Sequence, residues 1–315
     1  MPAAQGIGRY IEQIARNNYS SLVDTWHYGG RPEDARACAE LAVRQHVWAQ
    51  LLQRDRDHIP GLRAQPVHDP AGFWFVTVLE DRYPEIRAEI EAVLDTDIDP
   101  VQPTLEDGWL ARRGSWRQAY LFREGNWQPD VCAHFPITRS ILAEIPEVTT
   151  FSPGVILVSR LSPGTHIIPH CGSTNAVLRI HLAIKVPSRV SIRVADQVMT
   201  WEEGKCLIFD DSFEHEVHHD GTGDRVVLIM DMAHPDLDTA HRERLLARRP
   251  GPEERITAFM RERGIERIAV KDGRIVFTPD RAMRELVTNY MAAARVRAAE
   301  VTGDQVRWQR LEGGG

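Results

Sequence analysis

Apolar residues recur with a helical period through the first hundred residues of the chain. The first segment places four of them on one face of a helix: Ile7, Tyr10, Ile11 and Ile14. A second amphipathic pattern covers residues 38–52, and a third begins at Pro84, a residue that suits the first turn of a helix. These patterns predict a helical N-terminal segment over residues 1–100 that packs on the structure that follows it.

Short β-rich runs replace the helical period from about Trp116 onwards. Gly, Pro and Asp separate these runs, and no helical pattern lies between successive pairs, which favours an antiparallel sandwich or barrel over a doubly wound parallel sheet. The runs are residues 119–122, 155–158, 178–186, 190–194, 205–209 and 225–230. We therefore expect residues 101–247 to form a mainly β core, which together with the flanking helices gives an α+β protein.

The composition changes again at Arg248-Arg249-Pro250-Gly251-Pro252, where charge is combined with residues that end a helix. Residues 248–315 are predicted to form a small α/β extension. Its expected elements are a helix over 253–264, a hairpin that turns at Asp272-Gly273, and a helix from Asp280 to about Ala299. Three roles are open to this extension: docking a peptide or carrier partner, covering the core, or forming a homodimer interface.

Composition and charge exclude several classes of protein. The chain has 315 residues, 43% of them hydrophobic, and a formal net charge of −7. No stretch is basic enough to follow a phosphate backbone, so nucleic-acid binding is not expected. No apolar run approaches the roughly 18–20 residues that span a bilayer, and no signal-like segment begins the chain, so we expect a cytoplasmic protein without a membrane partner. The four cysteines form no CxxC and are expected to be reduced thiols.

Histidines and arginines concentrate between Ser159 and Asp231, on or beside the predicted strands. His170 lies in a Pro-His-Cys-Gly segment, His215 follows an Asp-Asp-Ser-Phe-Glu segment, and Arg225 comes ten residues later. A single histidine on a strand is usually a hydrogen-bonded core or rim residue. Residues from distant strands meet inside the mouth of a small barrel, however, so these three side chains together indicate a site.

These motifs resemble those of the aspartyl/asparaginyl β-hydroxylases, a family of iron(II)- and 2-oxoglutarate-dependent dioxygenases. The resemblance covers roughly residues 73–237. Its most specific segments are Pro163–His166, Pro169–Asn175, Leu178–Leu182, Trp201–Gly204, Phe209–Val217 and Asp231–Leu237. The resemblance implies a double-stranded β-helix, a distorted and cupin-like jelly roll, with iron at its open end.

The resemblance also implies roles for residues of the core. His170 and His215 would bind Fe(II), and Arg225 would hold the distal carboxylate of the cosubstrate 2-oxoglutarate. The cosubstrate pocket would be completed by Ser159, Arg179 and His181. Neutral imidazole suits Fe(II), and a guanidinium gives a carboxylate a planar, permanently charged and bidentate partner.

Gly172 stands where most 2-oxoglutarate enzymes carry the carboxylate of the facial triad. The resembled family shares this departure, which leaves one iron position for water or another ligand. Asp211 is the nearest carboxylate in sequence, but turn formation and histidine orientation also explain its presence. Two reactions with O2 follow: hydroxylation, which the surrounding motifs favour, and halogenation, because a missing carboxylate makes room for chloride.

The chain departs from the family at the expected substrate residues. Val177 replaces an arginine that grips the substrate carboxylate in the family, and strand alternation places it on the same face as Arg179. Arg112 and Arg113 lie near another family arginine, as substrate anchors or as solvated charges. The expected substrate is an Asp or Asn unit, hydroxylated at its β-carbon as a free amino acid, a carrier-bound aminoacyl group or a residue of a biosynthetic peptide.

The alternative of a different class is a catalytically silent barrel that binds a small carboxylate or a peptide. The joint presence of His170, His215 and Arg225 favours the enzyme, because a binding module has no need for all three. A metal-dependent hydrolase is disfavoured, since two histidines without a placed general base activate water poorly. Structural or solvated roles are expected for Trp201 and for His166, His218, His219, His234 and His241.

Overall fold

The computed structural model describes residues 2–94, 101–103, 110–111, 113–246, 269–271, 274–276, 296–302 and 305–310. The chain begins with two helices, α1 (Pro2–Tyr28) and α2 (Pro32–Arg44). Small buried residues of α2 pack with Val23 and Trp48: Ala35, Ala39 and Ala42. The first predicted helix is confirmed, but Ile11 is 61% exposed and Ile14 is also exposed, so its expected apolar face is not the buried one.

Within the described residues, six further short α-helices flank the strands. They are α3 (Trp74–Asp81), α4 (Tyr83–Leu94), α5 (Pro129–Cys132), α6 (Pro136–Leu142), α7 (Pro146–Thr149) and α8 (Thr239–Leu245). The helix predicted to begin at Pro84 is thus confirmed as α4. Its Ile86 and Ile90 are fully buried in the hydrophobic cluster that covers the outer face of the larger sheet.

The strands of the core form two antiparallel sheets. In chain order they are β1 (Val67–His68), β2 (Gln102–Pro103), β3 (Trp116–Arg123), β4 (Asn126–Trp127), β5 (Ile156–Leu161), β6 (His166–His170), β7 (Val177–Lys185), β8 (Val190–Val194), β9 (Gln197–Met199), β10 (Cys206–Phe209), β11 (His215–His219) and β12 (Arg225–Ala233). The larger sheet has the order β1-β10-β7-β12-β5-β3-β2, with β4 paired to β3, and the smaller has the order β6-β11-β8-β9.

The strand order identifies the core as a double-stranded β-helix. From β5 to β12 the chain passes back and forth between the sheets, with β8 and β9 as the one direct hairpin within a sheet. The larger sheet contributes β10-β7-β12-β5 and the smaller β6-β11-β8-β9, which is a jelly roll closed from two four-stranded halves. The predicted fold class is confirmed.

Strand β12 lies at the centre of the larger sheet and is buried on both faces. Leu228 and Met230 pack with the flanking helices, whereas Val227 and Ile229 point into the space between the sheets. Alternate residues of one strand therefore serve two separate hydrophobic clusters. Apolar side chains of both sheets therefore line the interior of the jelly roll.

Two regions correct the predicted organisation. The N-terminal segment contributes a strand, because β1 pairs with β10 of the core. In the C-terminal extension, a separate sheet has the order β13-β14-β16-β15: β13 (Ala269–Lys271), β14 (Arg274–Val276), β15 (Val296–Thr302) and β16 (Gln305–Arg310). The predicted hairpin is confirmed by the pairing of Lys271 with Arg274.

The helix predicted to end near Ala299 is wrong at its end, since residues 296–302 form β15 and pair with β16. The helix propensity of Ala, Arg and Glu is a weak preference that pairing with a neighbouring strand overrides. The missed signal was Gly303-Asp304 between two runs of strand-forming residues, a short hairpin signature. The other predicted helical residues of the extension lie outside the described residues. Among the described helices, none has the length and apolarity needed to cross a membrane.

Candidate metal and carboxylate site

Two histidines face each other where β6 ends and β11 begins. The register pairs His170 directly with His215, and their ring centroids are 4.1 Å apart. A β-bulge makes this possible, because Ile168 and Pro169 of β6 stand opposite the single residue Glu216 of β11. Without the extra residue, strand alternation would place His170 on the outer face of the sheet. The bulge therefore aims both imidazoles into the interior.

The hydrogen bonds of these histidines fix their tautomers. A carbonyl oxygen only accepts, so His170 Nδ1–H donates to the oxygen of Ile168 at 2.8 Å and His215 Nδ1–H to that of Phe213 at 2.9 Å. Each Nε2 keeps a free lone pair. Burial, with the neighbouring His215, lowers the pKa of His170 to about 3, and burial lowers the pKa of His215 to about 4. Both rings are neutral near pH 7, which is the state that binds a metal.

Gly172 has no room for a side chain. A Cβ at this position would lie 2.5 Å from Oδ1 of Asp211, and the Gly172 N–H donates to the Asp211 carbonyl at 2.6 Å. The Asp211 carboxylate is held in turn by Arg179, whose Nη1 is 3.1 Å from its Oδ2. A carboxylate introduced at position 172 would therefore collide with Asp211 instead of completing a triad.

Arg179 is already neutralised by two carboxylates. Besides Asp211, it binds Asp231 with two hydrogen bonds, Nε to Oδ1 at 2.9 Å and Nη2 to Oδ2 at 3.2 Å. Although burial opposes its charge, the two aspartates hold the pKa of Arg179 above its ordinary value. The structure thus places Arg179 beside the histidines as expected from the sequence, but with its donors engaged by protein groups.

Arg225 differs from Arg179, because it is a buried cation that has no counterion among the described residues. It is 1% exposed, its Nη1 donates to Ser159 Oγ at 3.3 Å, and its guanidinium lies 4.5 Å from the Trp201 ring centroid. Its Nε has no partner, and no carboxylate of the described residues forms an ion pair with it. Burial lowers the pKa of Arg225 to about 9. Since a buried unpaired charge is costly, the surroundings of Arg225 are suited to an anionic ligand.

His181 lies between Arg225 and the histidine pair. Trp201 Nε1–H donates to His181 Nδ1 at 3.1 Å, so the proton of the neutral ring is on Nε2, which is buried and has no partner. Burial, followed by the charges of Arg225 and Arg179, lowers the pKa of His181 well below its ordinary value. His181 is therefore a neutral donor. Phe209 contacts both His181 and His215, with centroids 5.1 and 5.5 Å away, and so connects the two parts of the site.

The part that Trp201 plays was not predicted from the sequence. It was assigned a structural role in a turn, yet its indole orients His181 and its face covers Arg225. The available signal was its place in one of the most specific matching segments, Trp201–Gly204. Trp201 therefore contacts both His181 and Arg225 and fixes the orientation of the His181 ring.

A buried ion cluster supports His215 from the outside. Glu214 binds Arg54, is 3.3 Å from His27 Nε2, and is 2.8 Å from Arg193 Nη2. Although burial opposes ionisation, the hydrogen bonds and charges of these partners lower the pKa of Glu214. The N-terminal partners were not predicted, because nothing in a sequence pattern connects residues this far apart along the chain.

A cavity of about 340 Å³ opens beside the histidines. Its apolar lining includes Leu110, Trp116, Val155, Leu157, Val177 and Ile229. Val177 and Arg179 both line it, in agreement with strand alternation, and Arg179 is its one arginine or lysine among the described lining residues. Arg113 is exposed and is not among them, whereas Arg112 lies outside the described residues.

Inside the jelly roll, the neutral histidine pair is a candidate metal centre, and the buried Arg225, which has no carboxylate partner among the described residues, is a candidate anion-binding group. Residues 80–235 match the model of the family Aspartyl/Asparaginyl beta-hydroxylase, and through this domain the chain belongs to that family.

Two curated relatives illustrate the range of the family. The aspartyl/asparaginyl beta-hydroxylase of Homo sapiens is 39% identical over 212 residues, which are 66% of this chain and 28% of that protein. The ornithine lipid ester-linked acyl 2-hydroxylase of Rhizobium tropici is 36% identical over 178 residues, 54% of this chain and 61% of that protein. The chain thus spans about a quarter of the first relative and about three fifths of the second.

Solved structures align more distantly. A prolyl-4-hydroxylase of Pseudomonas putida has 12% identity and a TM-score of 0.32, and the alignment covers 50% of this chain and 98% of that one. The fold is defined by the strand order described above.

Asp210 is a buried carboxylate that should make stability depend on pH. Its Oδ1 accepts from the Ser212 N–H at 2.9 Å, its Oδ2 has no partner, and burial raises its pKa to about 8. Between the unfolded pKa, about 4, and this folded value, the native state binds more protons. The free energy of unfolding should therefore fall as pH rises from about 4 to 8, and stay level above that.

Asp210→Asn should remove this dependence and stabilise the metal-free protein by a few kcal/mol at pH 8.5 but little at pH 5, because asparagine resembles the protonated acid. Urea unfolding at both pH values measures the difference. Glu85→Gln is the control: Glu85 is exposed, a hydrogen bond from Arg82 lowers its pKa, and its effect should be equal at both pH values. An equal effect of Asp210→Asn at pH 5 and 8.5 would contradict the assignment.

Proposed function

We propose that the protein is an Fe(II)- and 2-oxoglutarate-dependent hydroxylase that acts on an amino-acid unit, Asp or Asn, at the β-carbon. The observation that carries the proposal is Arg225, a buried cation with no carboxylate partner among the described residues, which Trp201, His181 and Phe209 connect by successive contacts to two neutral histidines. A dicarboxylate that also binds a metal matches both the cation and the histidine pair. A pocket for a neutral ligand has no use for a buried unpaired charge.

The donor set fits Fe(II). His170 and His215 offer two Nε2 lone pairs, fixed by hydrogen bonds to backbone carbonyls, and Gly172 leaves a further position without a protein ligand. When bound, iron with 2-oxoglutarate and O2 supplies the oxidising power for hydroxylation of an unactivated carbon. The protein supplies the positions of the reactants and a dry environment.

The remaining residues bind and orient the cosubstrate. Arg225 and Ser159 would hold its distal carboxylate, and the unpartnered Nε2–H of His181 would donate to it from the side. Trp201 keeps His181 in the donor tautomer at that atom. The apolar cavity wall excludes water from the reacting centre, which strengthens each of these charged hydrogen bonds.

The cavity wall favours a second candidate substrate. Val177 and its apolar neighbours line the space beside the histidines, and the one lining arginine is already bound to Asp211 and Asp231. A substrate that carries an acyl or other apolar group would bury it there favourably. The relative from Rhizobium tropici is named as an acyl 2-hydroxylase. Hydroxylation of such a group is therefore the second candidate.

An anaerobic titration of the metal-free protein with Fe(II) and 2-oxoglutarate tests the cofactor assignment. We expect a weak visible charge-transfer band from the 2-oxo acid chelated to iron. Its absence in folded protein would favour a silent barrel. Aerobic incubation with free, carrier-bound and peptide Asp and Asn, and with acyl amino acids, should then give one product 16 mass units heavier, with succinate. A chlorinated product that depends on chloride would favour the halogenase.

A further inference from the structure

A second histidine cluster lies on the opposite face of the strands that carry the first. His166 of β6 pairs in register with His218 of β11, next to the Ile167–Val217 pair that points into the interior. Because neighbours on a strand face opposite ways, His166 and His218 point outward, as does Glu216 between them. The bulge that turns His170 inward is what separates the two clusters.

The three outward side chains converge on one point. The rings of His166 and His218 stack with centroids 4.0 Å apart and an interplanar angle of 19°. Their Nε2 atoms lie 3.2 and 3.1 Å from the same oxygen, Oε2 of Glu216. The three potential ligand atoms all lie within 4.8 Å of one another.

These separations match the edges of a metal coordination polyhedron. Ligand atoms about 2.0–2.2 Å from a divalent ion are roughly 3.0–3.5 Å apart when they occupy neighbouring positions. The two Nε2–Oε2 distances already fall in this range. The side chains of His166 and His218 are 32% and 44% exposed, so an ion can enter and a water molecule can complete its coordination.

Arg193 orients the Glu216 carboxylate, and the types of ligand atom indicate which metals can bind. Arg193 Nε binds Oε1 of Glu216 at 2.5 Å and leaves Oε2 directed at the histidines, while the same guanidinium also binds Glu214. One carboxylate oxygen next to an arginine is a poor site for Ca²⁺ or Mg²⁺, which need several oxygen ligands. Two imidazoles and one carboxylate suit a late first-row transition metal.

We propose that His166, Glu216 and His218 bind a divalent transition-metal ion of the Zn²⁺ or Ni²⁺ type on the outer face of the smaller sheet. The ion completes its coordination with water. It lies at the edge of a cavity of about 730 Å³ that His166 and Glu216 help to line together with residues of α1 and α2. Strand β11 then contributes ligands to two metal sites, one on each face.

Zn²⁺ titration calorimetry on the full chain tests the outer site. The His170→Ala/His215→Ala variant removes the inner histidines and should still bind one Zn²⁺ per chain. Adding His218→Gln should weaken Zn²⁺ binding by more than 10–100-fold, which is roughly the loss of metal affinity when a residue that only hydrogen-bonds a ligand is removed. His241→Gln replaces an exposed histidine on α8 that hydrogen-bonds Asp238 and serves as the control without effect.

Wild-type protein provides a second measurement that does not depend on the inner variant being folded. Wild-type protein should bind two Zn²⁺ per chain, and His218→Gln alone should bind one. With Co²⁺ as the probe, the visible absorption that is lost in His218→Gln should persist in His241→Gln. Unchanged stoichiometry in His218→Gln, or no Zn²⁺ binding by folded protein that lacks the inner histidines, would overturn the proposal.

Discussion

Arg225→Met should abolish tight 2-oxoglutarate binding and leave the metal-free protein as stable as the wild type, or more so. The two effects have one cause. Arg225 is buried and has no carboxylate partner in the described part of the chain, so its charge is a cost to the folded protein until an anion binds. Methionine keeps an unbranched apolar side chain at this buried position and removes the guanidinium that lies over the Trp201 ring.

The expected loss of binding free energy is about 2–5 kcal/mol, on the order of 30- to 5000-fold in affinity, as for truncation of one partner of a buried charged pair. Calorimetry with 2-oxoglutarate and urea unfolding measure the two effects separately. Arg160→Met is the matched control: Arg160 is on β5, as Ser159 is, but it binds Asp224 and should not affect 2-oxoglutarate. Destabilisation of several kcal/mol by Arg225→Met, with 2-oxoglutarate affinity retained, would show a purely structural role.

His170→Ala and His215→Ala should each eliminate Fe(II)-dependent turnover while the fold is retained. Each Nε2 is one of only two protein nitrogens that this site offers, so its loss leaves a single ligand that does not hold Fe(II) against water. Turnover should fall to the background rate. This loss is larger than the roughly 10–100-fold loss of activity that follows removal of a hydrogen-bond partner of a metal ligand. Product formation at saturating Fe(II) and the midpoint of thermal unfolding are the measurements.

His219→Ala is the matched control for these variants. His219 is a buried histidine of the same strand whose Nε2 is 2.8 Å from the Gly223 carbonyl. Its Nδ1 also accepts from the Gly221 N–H at 3.3 Å. Its replacement should lower stability at least as much as His215→Ala, because it removes a buried ring with two hydrogen bonds where His215→Ala removes a buried ring with one, yet turnover should remain. Turnover that survives in a folded His215→Ala variant would remove that histidine from the metal centre.

Sequence motifs located the histidines and arginines but not their state of charge. The motifs placed Arg179 and Arg225 in one pocket, and only the register of β7 with β12 reveals that Arg179 lies opposite Asp231 and is neutralised. The motifs also did not show to which face of the sheet each histidine points. Strict alternation puts His166 and His170 on one face, and the bulge at Ile168 and Pro169 that separates them has no unambiguous pattern in the sequence.

The fold class was predictable for a physical reason. Strands β5 to β12 consist of short apolar runs between turn residues. The apolar side chains of these runs are buried between the two sheets and under the flanking helices. The strand at Val67–His68 was not predictable, because two residues are too short to carry a period. Residues 296–299 were predicted as the end of a helix because Ala, Arg and Glu have helix propensity, which pairing with a neighbouring strand overrides.

The ion cluster at Glu214 connects residues inside the family match with residues that come before it. The part of the chain that folds together is therefore larger than the part that matches the family. The match begins at residue 80, whereas His27 and Arg54, which bind the Glu214 carboxylate beside His215, come earlier in the chain. A fragment that begins at residue 80 would keep strands β5 to β12 but lose β1, and of the three described side chains that bind the Glu214 carboxylate it would keep Arg193 alone. Sequence similarity therefore marks what relatives share, and a larger piece of chain is needed to balance the buried charge of Glu214 next to His215.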